Sequence, residues 1–162
     1  MKRERELTTS TGAFSAGEYW ARLAGVRELM AKDYDLDALL VTSPENIYYL
    51  IGLTHQGYFA FTMLVLPREG DPSLLTRRME AYTISQQAPD VEHIGYGDDE
   101  DAGSAAVDAM KRLGLDRGKV GVDRSSMFLP AGIWEQLEQG LPGVEWVETS
   151  RTASTSARFE TG

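Results

Sequence analysis

The chain has 162 residues, of which 42% are hydrophobic and 25% are charged, a composition typical of one folded globular domain. It contains no cysteine, which excludes disulfides, thiolate nucleophiles and cysteine-based zinc sites. The formal net charge of -9 opposes binding to nucleic acids, because affinity for their phosphates comes largely from Lys and Arg side chains.

No apolar run approaches the roughly 18 residues that a membrane-spanning helix needs, and the longest, residues 58–67, has the length of a strand. The charged start of the chain leads into a Ser/Thr-rich stretch and not into the apolar core of a signal peptide. We therefore expect a cytoplasmic protein with no membrane partner.

A helix is predicted directly after a flexible leader at residues 1–13. Ser15 and Glu18 have the spacing of a capping box, and Phe14 stands where a hydrophobic staple would. Apolar residues then recur at helical spacing, at Tyr19, Leu23, Val26 and Met30. This pattern predicts an amphipathic helix that packs by one face.

Strands and helices alternate through the rest of the chain. Strands are expected at residues 37–42, 58–67, 73–76, 91–96, 119–123 and 144–148, and helices at 44–52, 79–87, 102–113 and 130–141. The second and third strands, joined by a Gly-Asp-Pro turn, predict an antiparallel hairpin. Residues 14–149 are therefore expected to form a three-layer α/β/α domain around a mixed six-stranded sheet, followed by a linker or disordered tail at 150–162.

Known catalytic motifs are missing from the sequence. There is no Gly-x-Ser-x-Gly or phosphate-loop pattern, and neither His55 nor His93 belongs to a metal-binding histidine pair. The acidic run at residues 98–101 lacks the ligand spacing of a calcium loop, so we interpret it as a solvated loop that caps the following helix. His93 lies within a predicted strand and is interpreted as structural.

Two places could contact a ligand. His55 lies in a Gly-rich loop at residues 52–57, from which a side chain can project, although a lone loop histidine is also commonly a solvated residue. Tyr58 and Phe59 follow directly and are candidates for a binding surface. Arg77 ends the hairpin and can hold a carboxylate, the alternative being an ion pair with Glu80.

Five segments carry a pattern that is known from one enzyme family. They are Phe14-Ser-x-x-Glu18-Tyr-x-x-Arg22-Leu, Asp37-Ala-Leu-Leu-Val-Thr-Ser-Pro-Glu-Asn46-Ile-Tyr-Tyr-Leu-x-Gly52, Leu64-Val-Leu-Pro-x-x-Gly70-x-Pro, Leu75-Thr-Arg-Arg-x-Glu80 and Lys119-Val-Gly-Val-Asp123. In this order they resemble the N-terminal domain of the creatinase, prolidase (Xaa-Pro dipeptidase) and aminopeptidase P family. The resemblance implies a ribonuclease-H-like α/β fold, in agreement with the order of predicted elements.

In that family the N-terminal domain carries no metal site. A second domain supplies two aspartates, one histidine and two glutamates, which bind two divalent metal ions such as Mn, Co or Zn in the peptidases; creatinase-like members use a histidine instead. The resemblance therefore implies that this chain has no catalytic residue, no metal ligand and no cofactor, and is inactive alone. Its parent protein is expected to hydrolyse a C–N bond in a small peptide or an amidine-type small molecule.

The resemblance also implies partners and contact residues. Family members commonly form homodimers in which the N-terminal domain of one subunit closes over the active site of the other, so we expect roles in substrate gating and dimerisation. By the same resemblance, substrate contacts are expected at His55, Gln56, Tyr58 and Phe59, with Arg77 as a further candidate. The chain after residue 149 does not keep the family's bridge into the catalytic domain and is expected to stop inside the linker.

Two alternatives stay open from the sequence. The domain can be a free-standing module that binds a ligand or a protein through residues 52–59. Alternatively, Asp37 and Asp123 at strand positions bind magnesium for the chemistry of a ribonuclease-H-like nuclease, although the acidic composition counts against this.

Overall fold

Six strands form one sheet in the computed structural model, which describes residues 16–54 and 60–149. The strands are β1 (Ala38–Val41), β2 (Met63–Pro67), β3 (Ser73–Arg77), β4 (Glu92–Tyr96), β5 (Gly118–Val122) and β6 (Val144–Glu148). The helices are α1 (Ala16–Leu29), α2 (Pro44–Ile51), α3 (Ala81–Gln87), α4 (Ala102–Arg112) and α5 (Ala131–Gly140). A π-helical turn (Met30–Tyr34) extends α1, and a 3-10 turn (Arg78–Glu80) precedes α3. The predicted order of elements is confirmed for the described residues.

The sheet has the strand order β4-β3-β2-β1-β5-β6. β2 pairs antiparallel with both β1 and β3, whereas the pairs β1–β5, β3–β4 and β5–β6 are parallel. Five strands therefore run in one direction and β2 runs against them. We use the name carboxyl edge for the end of the sheet at which these five strands finish and β2 begins. It runs across all six strands and is not an edge strand.

Helices cover both faces of the sheet, as the predicted three-layer arrangement requires. Alternate residues of a strand point to opposite faces, so Leu64 and Leu66 of β2 pack under α1, α2 and α3, while Met63 and Val65 pack under α4 and α5. The mixed α/β sheet with helices on both faces is the predicted fold class, and it is confirmed.

The predicted buried face of α1 is also confirmed. Tyr19, Leu23, Val26 and Met30 are all buried. After α1 the chain continues in the wider π-helical turn to Tyr34 and stops at Asp35, whose φ of 52° is left-handed. Ser15 of the predicted capping box, the leader at 1–13 and the tail at 150–162 lie outside the described residues.

The start of the second strand differs from the prediction. The apolar pattern predicted a strand from residue 58, whereas β2 begins at Met63. Residues 60–62 are not paired in the sheet, and residues 58 and 59 lie outside the described chain. The neighbouring strand β1 ends at Val41, opposite Leu64, because Pro44 already belongs to α2. Residues 60–62 therefore have no β1 partner.

None of the described helices has the length and hydrophobicity needed to cross a membrane.

Candidate functional site

The carboxyl edge collects polar side chains from several strands. Thr42 directly follows β1, Arg77 and Tyr96 end β3 and β4, and Asp123 directly follows β5. Ligands of open α/β sheets bind outside the carboxyl ends of the strands, because the strand-to-helix loops leave a crevice there. We therefore expect a binding surface at this edge.

A groove of about 140 Å³ lies at this edge. It is bounded by the start of α2, by the residues that lead into β2 and by the loop after β5. Its wall includes Pro44, Ile47, Leu53, Phe61, Met127 and Phe128. We call it the edge groove. Its lining is mostly apolar, so it suits an apolar side chain or a hydrophobic ligand better than an ion.

Two residues that line the edge groove lie close in sequence to the segment for which substrate contacts were predicted. Leu53 and Ala60 both line it, and they stand on either side of residues 55–59 in the chain. His55, Gln56, Tyr58 and Phe59 themselves lie outside the described residues. Their predicted contacts with substrate stay predictions.

Tyr96 holds one wall of the edge groove in place. Its hydroxyl group donates a hydrogen bond to the main-chain carbonyl oxygen of Phe61 at 2.7 Å. Burial raises the pKa of Tyr96, and the nearby Arg77 opposes this increase. The hydroxyl group therefore stays protonated at neutral pH and can act as the hydrogen-bond donor to the Phe61 carbonyl oxygen.

Arg77 lies beside Tyr96, which is its register partner across the β3–β4 pair. One terminal nitrogen of its guanidinium group is 3.4 Å from a carboxylate oxygen of Glu80, and the other is 3.9 Å from a carboxylate oxygen of Asp98. The predicted alternative, an ion pair with Glu80, is thus confirmed. Its Nε atom is buried and makes no hydrogen bond within the described chain. The Arg77 side chain is 32% exposed, and its predicted contact with substrate stays a prediction.

Two of the acidic side chains singled out in the sequence, Asp37 and Asp101, stabilise the fold. Asp37 precedes β1 at the opposite edge of the sheet, where its carboxylate accepts a hydrogen bond from the Lys119 main chain at 2.9 Å. Asp123 lies at the carboxyl edge, so these two carboxylates do not meet in a magnesium site. Asp101 accepts a hydrogen bond from the Ser104 main chain and caps α4, which confirms the predicted capping role of the acidic loop. Within residues 16–54 and 60–149, no three His, Asp or Glu side chains group in a way that could hold a metal ion.

His93 is structural, as interpreted from the sequence. Its Nε2 atom lies 2.8 Å from the hydroxyl oxygen of Thr76, beneath α3. Burial lowers the pKa of His93, and Glu80 opposes the decrease.

Sequence reasoning missed an apolar surface at the carboxyl edge. The large hydrophobic side chains that the described chain leaves exposed are Trp20, Met79, Tyr82, Met127 and Phe128. Met79 and Tyr82 follow β3, and Met127 and Phe128 follow β5. Trp20 lies in the first half of α1, which runs back toward the start of β1. By chain direction all five lie toward the carboxyl edge. The available signal was a Met-Phe pair in a strand-to-helix loop, which usually consists of polar residues.

Comparison with known proteins identifies the family. The sequence profile described as "Creatinase/Prolidase N-terminal domain" matches residues 22–155. A curated relative, the uncharacterized hydrolase/peptidase y4tM of Sinorhizobium fredii, is 27% identical over 140 residues, which are 81% of this chain and 36% of that protein. The ectoine hydrolase of Halomonas elongata is 25% identical over 146 residues, 85% of this chain and 36% of that enzyme.

A solved structure has the same fold. The prolidase of Thermococcus sibiricus superposes with a TM-score of 0.72 at 19% identity, over 88% of this chain and 37% of that enzyme. This chain spans 36% to 38% of the length of the curated relatives that it matches. Because the family profile covers most of its residues, the chain belongs to the family of creatinase/prolidase N-terminal domains.

Proposed function

We propose that this chain is the non-catalytic N-terminal domain of a hydrolase that cleaves a C–N bond in a small peptide or an amidine-type small molecule. Its role is to cover the active site of a catalytic domain and to control access of the substrate. The observation that carries this proposal is the set of exposed apolar side chains at the carboxyl edge, of which Met127 and Phe128 line the edge groove.

Three of the apolar side chains at this edge are largely in contact with water. Met127 is 86% exposed, Tyr82 is 76% exposed and Met79 is 66% exposed. Burying such side chains against a partner is favourable by about 25 cal/mol for each Å² of apolar surface removed from water. Large apolar side chains exposed along one edge are typical of a surface that meets another domain. The catalytic domain of the parent protein is the partner that the family membership supports.

The substrate is proposed to enter between the edge groove and the catalytic domain. The relatives support hydrolysis as the reaction, since one is a prolidase and another an ectoine hydrolase. We propose a homodimer in which the edge groove faces the active site of the partner subunit. In this proposal the substrate is contacted by His55, Gln56, Tyr58 and Phe59, and Arg77 attracts its carboxylate.

Any divalent metal ions, Mn, Co or Zn, belong to the catalytic domain in this proposal. The described residues do not fit a two-metal centre, because no three potential ligands converge among them. The chain alone is therefore expected to be inactive. A cytoplasmic location also stays a prediction.

The first experiment uses the 162-residue chain itself. We expect no release of proline from Xaa-Pro dipeptides and no hydrolysis of creatine when manganese is added. Turnover above that of a manganese-only blank would contradict a non-catalytic role.

The second experiment uses the parent protein with its catalytic domain. Met127→Ser and Phe128→Ser remove apolar surface at the edge groove, and we expect each to raise KM or to weaken dimerisation in analytical ultracentrifugation. Glu69→Ser is the matched control, because Glu69 is exposed at the opposite edge of the sheet. If all three variants behave like the unchanged protein, the carboxyl edge does not cover the active site.

A further inference from the structure

A second cavity lies at the point where the connections of the sheet diverge. β1 is paired antiparallel with β2 on one side and parallel with β5 on the other. The chain leaves β1 into α2 on one face and leaves β5 into α5 on the opposite face. The crevice between the carboxyl ends of β1 and β5 is therefore the topological switch point, where open α/β sheets hold their ligands.

A cavity of about 60 Å³ occupies this position. We call it the switch-point cavity. It shares Thr42 with the edge groove, and the loop after β5 contributes Ser126 to it and Met127 to the edge groove. The hydroxyl groups of Thr42 and Ser126 are 3.2 Å apart and join the two loops at this place.

One end of the switch-point cavity is apolar and the other is polar. Met30, Leu36 and Leu50 line the apolar part, beneath α1 and α2. Ser43, Asn46 and Asp123, whose side chains carry hydroxyl, amide and carboxylate groups, line it at the carboxyl edge. A cavity with an apolar body and a few convergent polar groups is the usual form of a small-molecule site.

The negative charge of Asp123 determines which kind of ligand the switch-point cavity favours. Among the described residues that line the cavity, Asp123 is the one carboxylate, and none is Lys, Arg or His. Its Oδ1 atom accepts hydrogen bonds from the Ser125 main chain at 3.0 Å and from the Ser125 hydroxyl group at 2.6 Å, which fix the carboxylate. A fixed, half-buried negative charge with no cation among the described lining residues favours a cationic ligand group.

We propose that the switch-point cavity binds a small primary amine with a short aliphatic chain. The ammonium group lies at Asp123, within reach of Asn46, and the aliphatic chain lies among Met30, Leu36 and Leu50. The small volume of about 60 Å³ limits the ligand to a short aliphatic chain. This site is separate from the edge groove and does not depend on the proposed role of that groove.

The test uses the 162-residue chain and three probes of the same shape: isobutylamine, isobutanol and isobutyrate. Binding is followed by chemical shifts of the main-chain amides of Asn46 and Ser126 and by calorimetry. We expect saturable shifts with isobutylamine, with at least tenfold weaker binding of isobutanol and no binding of isobutyrate. Absence of saturable binding by the amine overturns the proposal, as does equal affinity for the amine and the alcohol.

The variant Asp123→Asn keeps an Oδ1 acceptor for Ser125 but removes the charge. We expect it to bind isobutylamine at least tenfold more weakly, whereas the matched control Asp108→Asn, exposed on α4 on the other face of the sheet, binds it unchanged. Equal loss in both variants, or no loss in Asp123→Asn, overturns the proposal. If Asp123→Asn fails to fold, the comparison of amine with alcohol on the unchanged chain decides.

Discussion

The hydroxyl group of Tyr96, at the end of β4, donates a hydrogen bond of 2.7 Å to the main-chain carbonyl oxygen of Phe61, just before β2. β3 lies between these two strands in the sheet, so the bond spans it at the carboxyl edge. Phe61 lines the edge groove, and its carbonyl group precedes the first paired residue of β2. The Tyr96 side chain of β4 thereby fixes the main chain just before β2.

The first prediction concerns this bond. Tyr96→Phe removes the donor while keeping the ring, and we expect the free energy of unfolding to fall by about 1 kcal/mol, because the Phe61 carbonyl loses its partner. Chemical denaturation measures this change. Tyr82→Phe is the control, since Tyr82 is 76% exposed and its hydroxyl group should contribute little. Equal stability of Tyr96→Phe and the unchanged chain would show that water replaces the bond without loss.

Much of the fold could be predicted because it depends on local sequence patterns. The spacing of Tyr19, Leu23, Val26 and Met30 predicted the buried face of α1, and all four are buried. The Pro44 start and Gly52 end predicted α2, where Gly52 has a left-handed φ of 75°. Such signals depend on residues a few positions apart, so they are visible in a single sequence.

The start of β2 and the carboxyl-edge surface could not be predicted in the same way. Residues 58–61 are apolar or aromatic, and this pattern is the same whether or not a neighbouring strand is available for pairing. Thr42 and Ser126 are 84 positions apart, yet their contact places the loop that carries Met127 beside the start of α2. The exposure of Met127 and the groove beside it follow from that long-range packing.

The second prediction concerns the contact between α1 and the end of α2. Gly52→Ala places a side chain on a residue with left-handed backbone, which costs about 1 to 2 kcal/mol. The new Cβ atom would also lie 2.6 Å from the Tyr19 hydroxyl oxygen, so the Tyr19 side chain must shift. We expect a clear loss of thermal stability. Gly132→Ala is the matched control, because no atom lies within 4 Å of its Cβ position and Ala favours the helix α5. A similar melting temperature for both variants would contradict the expected strain.

The third prediction is a pH dependence that arises from His93. Burial lowers the pKa of this side chain below its ordinary value of 6.5. As the pH falls below about 6.5, the unfolded chain takes up a proton on His93 before the folded chain does, so the stability that this residue contributes declines. The neutral imidazole contributes fully above that pH.

Denaturation at pH 7.5 and at pH 5.5 measures this effect in the unchanged chain and in His93→Gln. We expect the stability difference between them to shift in favour of His93→Gln at the lower pH, because glutamine does not titrate. His55→Gln removes the second histidine and serves as the control. A difference that stays constant between the two pH values would show that His93 titrates equally in the folded and unfolded chains.

The fourth prediction concerns the N-terminus of α4, where Asp101 accepts hydrogen bonds from Gln136 of α5 and from Ser104. The bond from Gln136, followed by those from Ser104, lowers the pKa of Asp101 below its ordinary value of 3.8. The Asp101 carboxylate therefore contributes its full stabilisation above about pH 4. This contribution is lost as the pH falls further, because the unfolded chain takes up the proton before the folded chain does. Asp101→Ala removes the cap and the bond to α5, so we expect a lower melting temperature at pH 7 and a smaller loss on acidification than in the unchanged chain. Asp99→Ala, in the same exposed loop, should melt like the unchanged chain. A normal melting temperature for Asp101→Ala at pH 7 would mean that α4 is held by its packing alone.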